Sequence, residues 1–539
     1  MTELSLFPRL TDSFSRLLQG SNRRQALLAA SGGLLATSAL PPWHLWPLLP
    51  LAFALLLGLL DQCTTLRRAF GLSFLWGVMH FSAGHYWLAN ALLIQPELFG
   101  WLIPFAVFGL GSVLACFPAL ASALAWRFTP SGPARLLLFA AAWALMEWVR
   151  SWIFTGFPWN LMATVALPSL PLTQFAALTG AFGLSWLVVI AALLPLLLLY
   201  PVRRLSAMLL GGGITLLLGV WLWGAQRIPA QPSPVWPELT LRLVQGNIPQ
   251  SAKWDPALRN QHLLTYARLS QAYGTGRQPD VIIWPESAIP YLMEEDSPLY
   301  PAISRIVPPN GYIITGDVRS TGEAGTGTQR LWNSLEAIGP DGKVAARYDK
   351  NHLVPFGEYV PFAGILPLRH IVPLPVDISS GKIHPNLLLS PLPEIGPSIC
   401  FEDIFPGNVR DPAHRPQWLL SVTNDGWFGE GAGPQQHFAA ARLRAVEDAV
   451  PLVRVANTGV SAVTDPFGRI VSAIEPGMQA FADSELPLPE KLSPPYALFG
   501  NALFFVILFT SGLGSLLMTW KRADRLQSLK LQKEKIVVD

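Results

Sequence analysis

The sequence predicts a polytopic α-helical membrane domain of eight transmembrane helices that carries one α/β domain between its seventh and eighth helices. Three observations predict it. Charge is scarce: of 539 residues 14% are charged and 51% hydrophobic, against roughly 25% charged in soluble domains. It is also uneven, because residues 1–227 hold 17 of the 73 charges (12 Arg, 5 acidic, no Lys). Finally, from Pro237 to Pro489 strand-like and helix-like patterns recur at ordinary charge density. These features exclude a disordered or collagenous chain. A net charge of +3 gives no sign of a nucleic-acid partner, and Cys63, Cys116 and Cys400 are too few for a disulfide framework.

A bilayer span takes about 20 apolar residues. Gln25–Leu60 is broken by Pro41-Pro42 and predicts two short spans. Ala69–Pro96 and Leu98–Trp126 predict one each, and a fifth is placed near Ala134–Phe154 despite Glu147 and Arg150. Ser151–Val202 carries Pro158, Asn160, Pro168 and Pro171 early, which puts its span at Leu172–Tyr200. Leu205–Gln226 is the seventh and Leu492–Trp520 the eighth. Glu147 and Arg150 share a helix face and are expected to pair. His80 and His85 do not share a face, so they are expected to be polar packing rather than metal ligands.

Loop charges support this count independently. Arginines precede the first helix (Arg9, Arg16, Arg23, Arg24) and fall between the second and third (Arg67, Arg68). They recur between the fourth and fifth (Arg127, Arg135) and between the sixth and seventh (Arg203, Arg204), and Lys521, Arg522 and Arg525 follow the eighth. Basic loops on alternate connections predict cytoplasmic termini and a large domain on the other side of the membrane. The expected organisation is a cytoplasmic segment 1–24, seven helices within 25–227, an extracytoplasmic domain 237–489, a helix 492–520 and a basic cytoplasmic tail 521–539.

In the globular part, β-branched and apolar runs predict strands at Leu239–Ile248, Val281–Trp284, Tyr312–Thr315, Val344–Tyr348, Ile399–Phe401, Leu419–Val422 and Leu452–Val455. Helical patterns occupy Pro256–Tyr273 and Pro434–Asp448. One α/β or α+β domain is expected. The proline-rich, mostly apolar segment Val354–Pro375 reads equally as a lid or as domain packing.

Three strand ends carry chemistry. Cys400 closes the run Pro397-Ser398-Ile399 and leads into Glu402 and Asp403. Glu286 ends Val281-Ile282-Ile283-Trp284-Pro285, and Lys350 follows Arg347-Tyr348-Asp349 with Glu358 eight residues on. Singly, each charge reads as a solvated loop residue and the thiol as a buried structural one. Together they make a set: a carboxylate to take the thiol proton, a thiolate to attack a carbonyl, and an ammonium to stabilise the oxyanion.

Trp284-Pro285-Glu286, Lys350 followed by His-Leu-Val-Pro-Phe-Gly-Glu, and Ile399-Cys400-Phe401-Glu402 resemble the Glu–Lys–Cys signatures of the nitrilase superfamily. Within an eight-helix membrane protein they resemble its apolipoprotein N-acyltransferase family. The likeness extends to Val244–Gln250, Lys253-Trp254 and Thr423–Phe428. It implies a nitrilase-like α-β-β-α sandwich on the periplasmic face of a Gram-negative inner membrane. It also implies an acyl transfer with Glu286 as general base, Lys350 as oxyanion stabiliser, Cys400 as nucleophile and Glu358 as accessory carboxylate. Glu402 is a weaker accessory assignment. Trp254, Trp427 and Phe428 are candidates for lining the acyl or glycerol region, though aromatic residues serve as core equally well. The implied partners are a phospholipid donor, phosphatidylethanolamine in first place, a diacylglyceryl-apolipoprotein acceptor and the bilayer. A thioester is poised for aminolysis, so no cofactor or metal is expected. The alternative is a membrane-bound nitrilase-like amidase in which water resolves the same acyl-enzyme.

Overall fold

The computed structural model describes the chain except residues 1–5, 201–202, 275, 324–326, 362–375, 383–385, 408–410, 412–413 and 539. It divides into two units, Met1–Tyr86 with Phe105–Arg227 and Phe499–Asp539, and Trp87–Pro104 with Ile228–Leu498.

In the first unit a helix lies on each of the eight apolar segments: α1 (Asn22–Ser38), α2 (Leu49–Asp61), α3 (Leu66–Gly84), α4 (Leu110–Phe128), α5 (Pro133–Arg150), α6 (Ala176–Leu193), α7 (Arg203–Arg227) and the C-terminal helix Ala502–Val538. Side-chain caps start two of them beside basic loops, Ser21 accepting from the Arg24 N–H and Thr65 from the Arg68 N–H. Among the described residues four helical stretches are long and apolar enough to cross a membrane: Pro96–Phe128, Ala176–Leu199, Arg204–Arg227 and Ala502–Lys521. Helices α1 and α2 are shorter, at 17 and 13 residues, and α3 and α5 are diluted by Arg67, Arg68, Arg135, Glu147 and Arg150. The last two of those stretches leave Leu218, Trp221, Leu222, Val506, Phe509 and Leu516 exposed, more apolar surface than water tolerates.

The interior of this unit is aromatic. Trp143 meets Phe53 and Trp76 edge-on, with centroids 5.3 and 5.7 Å apart. Gly33 lets α1 close on α3, because a β-carbon there would overlap the Trp76 carbonyl. Contrary to expectation, no direct ion pair joins Glu147 and Arg150 among the described residues; each instead holds the loop that follows α5. Glu147 accepts from the Met162 N–H at 3.0 Å, and Arg150 donates to the carbonyls of Phe157 and Trp159 at 2.7 and 2.8 Å. His80 and His85 are buried; His80 stacks on Trp76 and bonds Thr37, and His85 Nδ1 lies 2.7 Å from the Phe81 carbonyl.

Among the described residues the second unit holds twelve strands: β1 (Val235–Gln245), β2 (Val281–Ile283), β3 (Leu292–Met293), β4 (Tyr312–Thr321), β5 (Arg330–Ile338), β6 (Val344–Asp349), β7 (Ile395–Ile399), β8 (Trp418–Thr423), β9 (Leu452–Ala456), β10 (Ser461–Thr464), β11 (Ile470–Ile474) and β12 (Ala480–Pro487). One sheet runs β12-β1-β2-β4-β5-β6 with β3 beside β4, the other β11-β10-β9-β8-β7. Strands β1, β2 and β4 are parallel, as are β7, β8 and β9.

Alternation along the strands builds the layers. Leu241, Leu243, Val281, Ile283, Ile314 and Leu335 face one core with Ile395, Ile399, Leu420, Val422, Val453 and Val455 of the other sheet. The intervening residues Val244, Ile282, Ile313 and Ile338 face outward onto Tyr266 and the short helix Leu299–Ser304. Tyr266 belongs to α8 (Arg259–Gln271). On the far side, α9 (Ala432–Asp448) lays Ala441 and Ala445 over Leu419 and Leu452. The result is a nitrilase-like α-β-β-α sandwich whose strands β2, β7, β8 and β9 are buried on both faces, hence their largely apolar runs. Each such side chain gains roughly 1.5–3 kcal/mol on burial. Of the segment Val354–Pro375, residues 362–375 lie outside the described residues.

Candidate active site

Parallel sheets present their chemistry at the C-terminal ends of their strands, and the sandwich brings two such edges together. Cys400 follows β7 directly and opens the 3-10 turn Cys400–Ile404. Its φ is +53°, a left-handed conformation uncommon outside glycine. Glu286 lies just beyond β2 and Lys350 just beyond β6.

The Glu286 loop is seated on β4. The Gly316 N–H donates to the Pro285 carbonyl at 3.2 Å, and the Ala288 N–H donates to the Gly316 carbonyl at 2.8 Å. A β-carbon on Gly316 would stand 2.6 Å from Glu286 Cα, so glycine is required for this approach. Trp284 anchors the same loop from the other side, stacking on Tyr266 and donating from Nε1 to Ser270 at 2.9 Å.

Lys350 Nζ is buried 3.0 Å from Glu358 Oε1 and 3.7 Å from Glu286 Oε1. Asn333 of β5 ties the two carboxylates together, its Nδ2 donating to Glu286 at 2.7 Å and to Glu358 at 2.8 Å. The remaining oxygens accept backbone N–H groups, Glu286 from Asn424 at 2.8 Å and Glu358 from Val354 at 2.7 Å. Burial pulls Lys350 down, but Glu358 and then Glu286 and Cys400 outweigh it and the net shift is upward, so the ammonium stays charged. The Cys400 thiol is pushed well above its ordinary range by burial first and Glu286 next; Lys350 and a hydrogen bond with Thr423 act the other way. Such a thiol rests protonated and needs a base to become a nucleophile.

Glu402 clasps the ends of β6 and β7. Its Oε1 accepts from the Tyr348 hydroxyl at 2.8 Å and from the N–H groups of Asn351 and His352 at 2.8 and 3.0 Å, and its Oε2 accepts from the Ile399 N–H at 2.8 Å. Burial raises it to about 7 against those donors. The neighbouring Phe401 ring packs against Phe405 and His352. Of the aromatic candidates, Trp254 is half-buried against Val318, Leu331 and Ile378. Trp427 is half-buried at the end of the 3-10 turn Asp425–Trp427. Phe428 meets Trp87 edge-on at 4.6 Å and accepts from Asn90 Nδ2 at 2.7 Å through its carbonyl. Among the described residues no group of three His, Cys, Asp or Glu is placed to hold a metal ion.

Beyond the candidate catalytic and lining residues, the site includes Asn333 and a buried salt-bridged layer behind Cys400. There Asp403, Asp425, His437 and Arg454 are all buried. It also includes Lys253, whose Nζ donates to the Glu286 carbonyl at 3.0 Å. Burial brings Lys253 down to about 8, with Glu286 and Cys400 opposing. Between pH 8 and about 10.5 the folded protein has shed a proton that the unfolded chain still binds, so this group's contribution to stability rises through that window. The full span is worth roughly 3 kcal/mol. The stability difference between wild type and Lys253→Met, followed by thermal melting from pH 7.5 to 10, should shift in favour of wild type as pH rises. A flat difference would refute the buried, depressed lysine.

The model of the apolipoprotein N-acyltransferase N-terminal domain matches residues 32–194, and that of carbon-nitrogen hydrolase matches residues 240–480. The apolipoprotein N-acyltransferase of Bradyrhizobium diazoefficiens is 36% identical over 500 residues, covering 90% of this chain and 93% of its own. That of Allorhizobium ampelinum is 38% identical over 474 residues, covering 85% and 89%. That of Brucella melitensis biotype 1 is 34% identical over 527 residues, covering 94% and 98%. Likeness of this extent along nearly the whole of both chains means that the chain belongs to the apolipoprotein N-acyltransferase family.

Proposed function

We propose that this enzyme N-acylates the N-terminal S-diacylglyceryl-cysteine of apolipoproteins in two steps, through a thioester on Cys400. In the first step Glu286 takes the thiol proton and the sulfur attacks an ester carbonyl of a phospholipid, phosphatidylethanolamine in first place. The tetrahedral oxyanion forms beside the Lys350 ammonium. Collapse breaks the ester C–O bond, and Glu286 returns the proton to the departing lysophospholipid. In the second step the free α-amine of the acceptor attacks the thioester, Glu286 takes the amine proton and passes it to the sulfur, and an amide is released. Glu358 holds Lys350 in place, and Trp254, Trp427 and Phe428 line the approach of the lipid portions.

The observation that carries this reading is the Glu286–Lys350–Glu358 cluster joined by Asn333, with the Cys400 thiol at the adjoining strand end in a strained turn. The membrane topology belongs to the same proposal. All eight helices cross an inner membrane, both termini are cytoplasmic, and residues 237–489 are periplasmic, where both lipid substrates present their ester and amine groups.

Intact mass spectrometry of the purified protein incubated with phosphatidylethanolamine, beside Cys400→Ser, tests it. The expected result is a hydroxylamine-sensitive acyl adduct on Cys400 that a diacylated lipopeptide with a free N-terminal amine discharges. An adduct that water discharges equally fast would make the enzyme a hydrolase, and no adduct would remove Cys400 from the chemistry.

A further inference from the structure

We infer that His437, on α9, is a positioning residue that holds the nucleophile's backbone in the conformation needed for attack. The inference rests on the assignment of Cys400 as nucleophile and adds a residue to it. Cys400 has φ +53°, and a side chain in the left-handed region persists only where its surroundings over-determine it. His437 Nε2 lies 3.0 Å from the Cys400 carbonyl oxygen, and the ring is fully buried. A carbonyl only accepts, so Nε2 carries the proton and donates to it.

The other face of the ring is locked. Nδ1 lies 2.8 Å from Asp425 Oδ1 and 3.0 Å from Arg454 Nη2, so it has a partner whether or not it carries a proton. Arg454 in turn donates to both oxygens of Asp425 and to Asp403 Oδ2. Phe428 presents its ring to the imidazole edge-on, centroids 5.6 Å apart, and is itself seated on Trp87. The imidazole is therefore a fixed strut that aims its Nε2–H at the peptide following the nucleophile. Because that peptide is planar, fixing its oxygen fixes ψ of Cys400, and with φ and the rotamer it fixes where Sγ points.

A merely structural histidine would affect yield and melting temperature; a positioning one also slows the chemical step at constant donor affinity. The test compares wild type with His437→Gln, His437→Asn and His437→Leu by the rate of the phosphatidylethanolamine-derived adduct on Cys400. Gln keeps a donor near the reach of Nε2, Asn withdraws it by one methylene, and Leu removes it. The expected result is Gln within about tenfold of wild type and Asn and Leu slowed about 100-fold. The donor concentration for half-maximal rate stays within about twofold throughout. Should Leu fail to fold, the contrast of Gln with Asn carries the test. Asn and Leu acylating at the wild-type rate, or Gln as slow as Leu, would overturn the inference. No adduct on wild-type Cys400 would instead overturn the nucleophile assignment beneath it.

Discussion

Lys350→Met is expected to lower acyl transfer by about 10²–10³-fold, the loss typical of removing an oxyanion-stabilising group from a preorganised site. The effect has two parts. A thioether has no charge to offer the developing oxyanion, and the thiol would lose the cation that opposes its upward shift. The second part concerns the two carboxylates. Glu286 and Glu358 accept from one Asn333 amide and flank one ammonium at 3.7 and 3.0 Å. Without that cation the buried Glu286 and half-buried Glu358 carboxylates are left to repel each other across the Asn333 amide. Leaving one partner of a buried pair uncompensated costs about 3–5 kcal/mol, so the variant should also melt lower. Lys350→Met with Glu358→Gln separates the parts. The double variant should recover most of the melting temperature and none of the acylation, read by adduct formation on Cys400. Turnover of Lys350→Met within tenfold of wild type would sink the assignment.

Much of this site was legible because its residues end apolar runs. Val281–Ile283 and Ile395–Ile399 stop abruptly before Glu286 and Cys400, and parallel pairing gathers such stops at one edge; Lys350 ends the more polar β6, which two antiparallel pairings return to the direction of β4. Asn333 was hidden because β5 reads Arg330-Leu-Trp-Asn-Ser-Leu-Glu-Ala-Ile, polar enough to resemble loop. Its neighbour Lys350 is supplied by strand pairing, not by sequence distance, through the Lys350 N–H donated to the Asn333 carbonyl. His437 and Arg454 lie inside a helix and a strand with no local punctuation, and only the fold sets them behind Cys400. The helices were readable for a different reason, since a long apolar run marks an apolar helix wherever it falls; among the described residues four such stretches are long and apolar enough to cross a membrane. Composition did not reveal that Trp87–Pro104 groups with the α/β unit: its Trp, Leu and Phe look like membrane sequence, yet Trp87 bonds Gln436 and packs on Phe428. Nor did it reveal that α1 and α2 are shorter than a full span, because helices packed in a bundle share burial with their neighbours.

Arg454→Met is expected to be the most destabilising single substitution in the α/β unit. The guanidinium is fully buried between Asp403 and Asp425 and also meets His437. Methionine fills the volume but leaves two buried carboxylates without their cation, a loss of about 3–5 kcal/mol from a domain stability of order 5–15 kcal/mol. The pH dependence distinguishes this cause from a packing defect. Burial alone would raise Asp425, and Arg454 followed by His437 overrides it and holds the carboxyl at about 2. In wild type that depressed value contributes stability above the unfolded value of about 3.9, lost only as pH falls toward 2. Without Arg454 burial is opposed only by His437 and the Thr423 hydroxyl among its described partners, so the folded-state value rises. If it passes the unfolded one, the sign reverses and the group's contribution falls as pH climbs. The gap in melting temperature between wild type and Arg454→Met should therefore be open already at pH 4 and wider at pH 7. Arg454→Lys, which keeps a charge but not a fork reaching two carboxylates, should fall between them. A gap that stays constant from pH 4 to 7 would mean that the arginine is held for its shape. A gap that widens would mean that the layer behind Cys400 is held together by charge, and that the histidine strut is only as firm as the ion pairs that grip it.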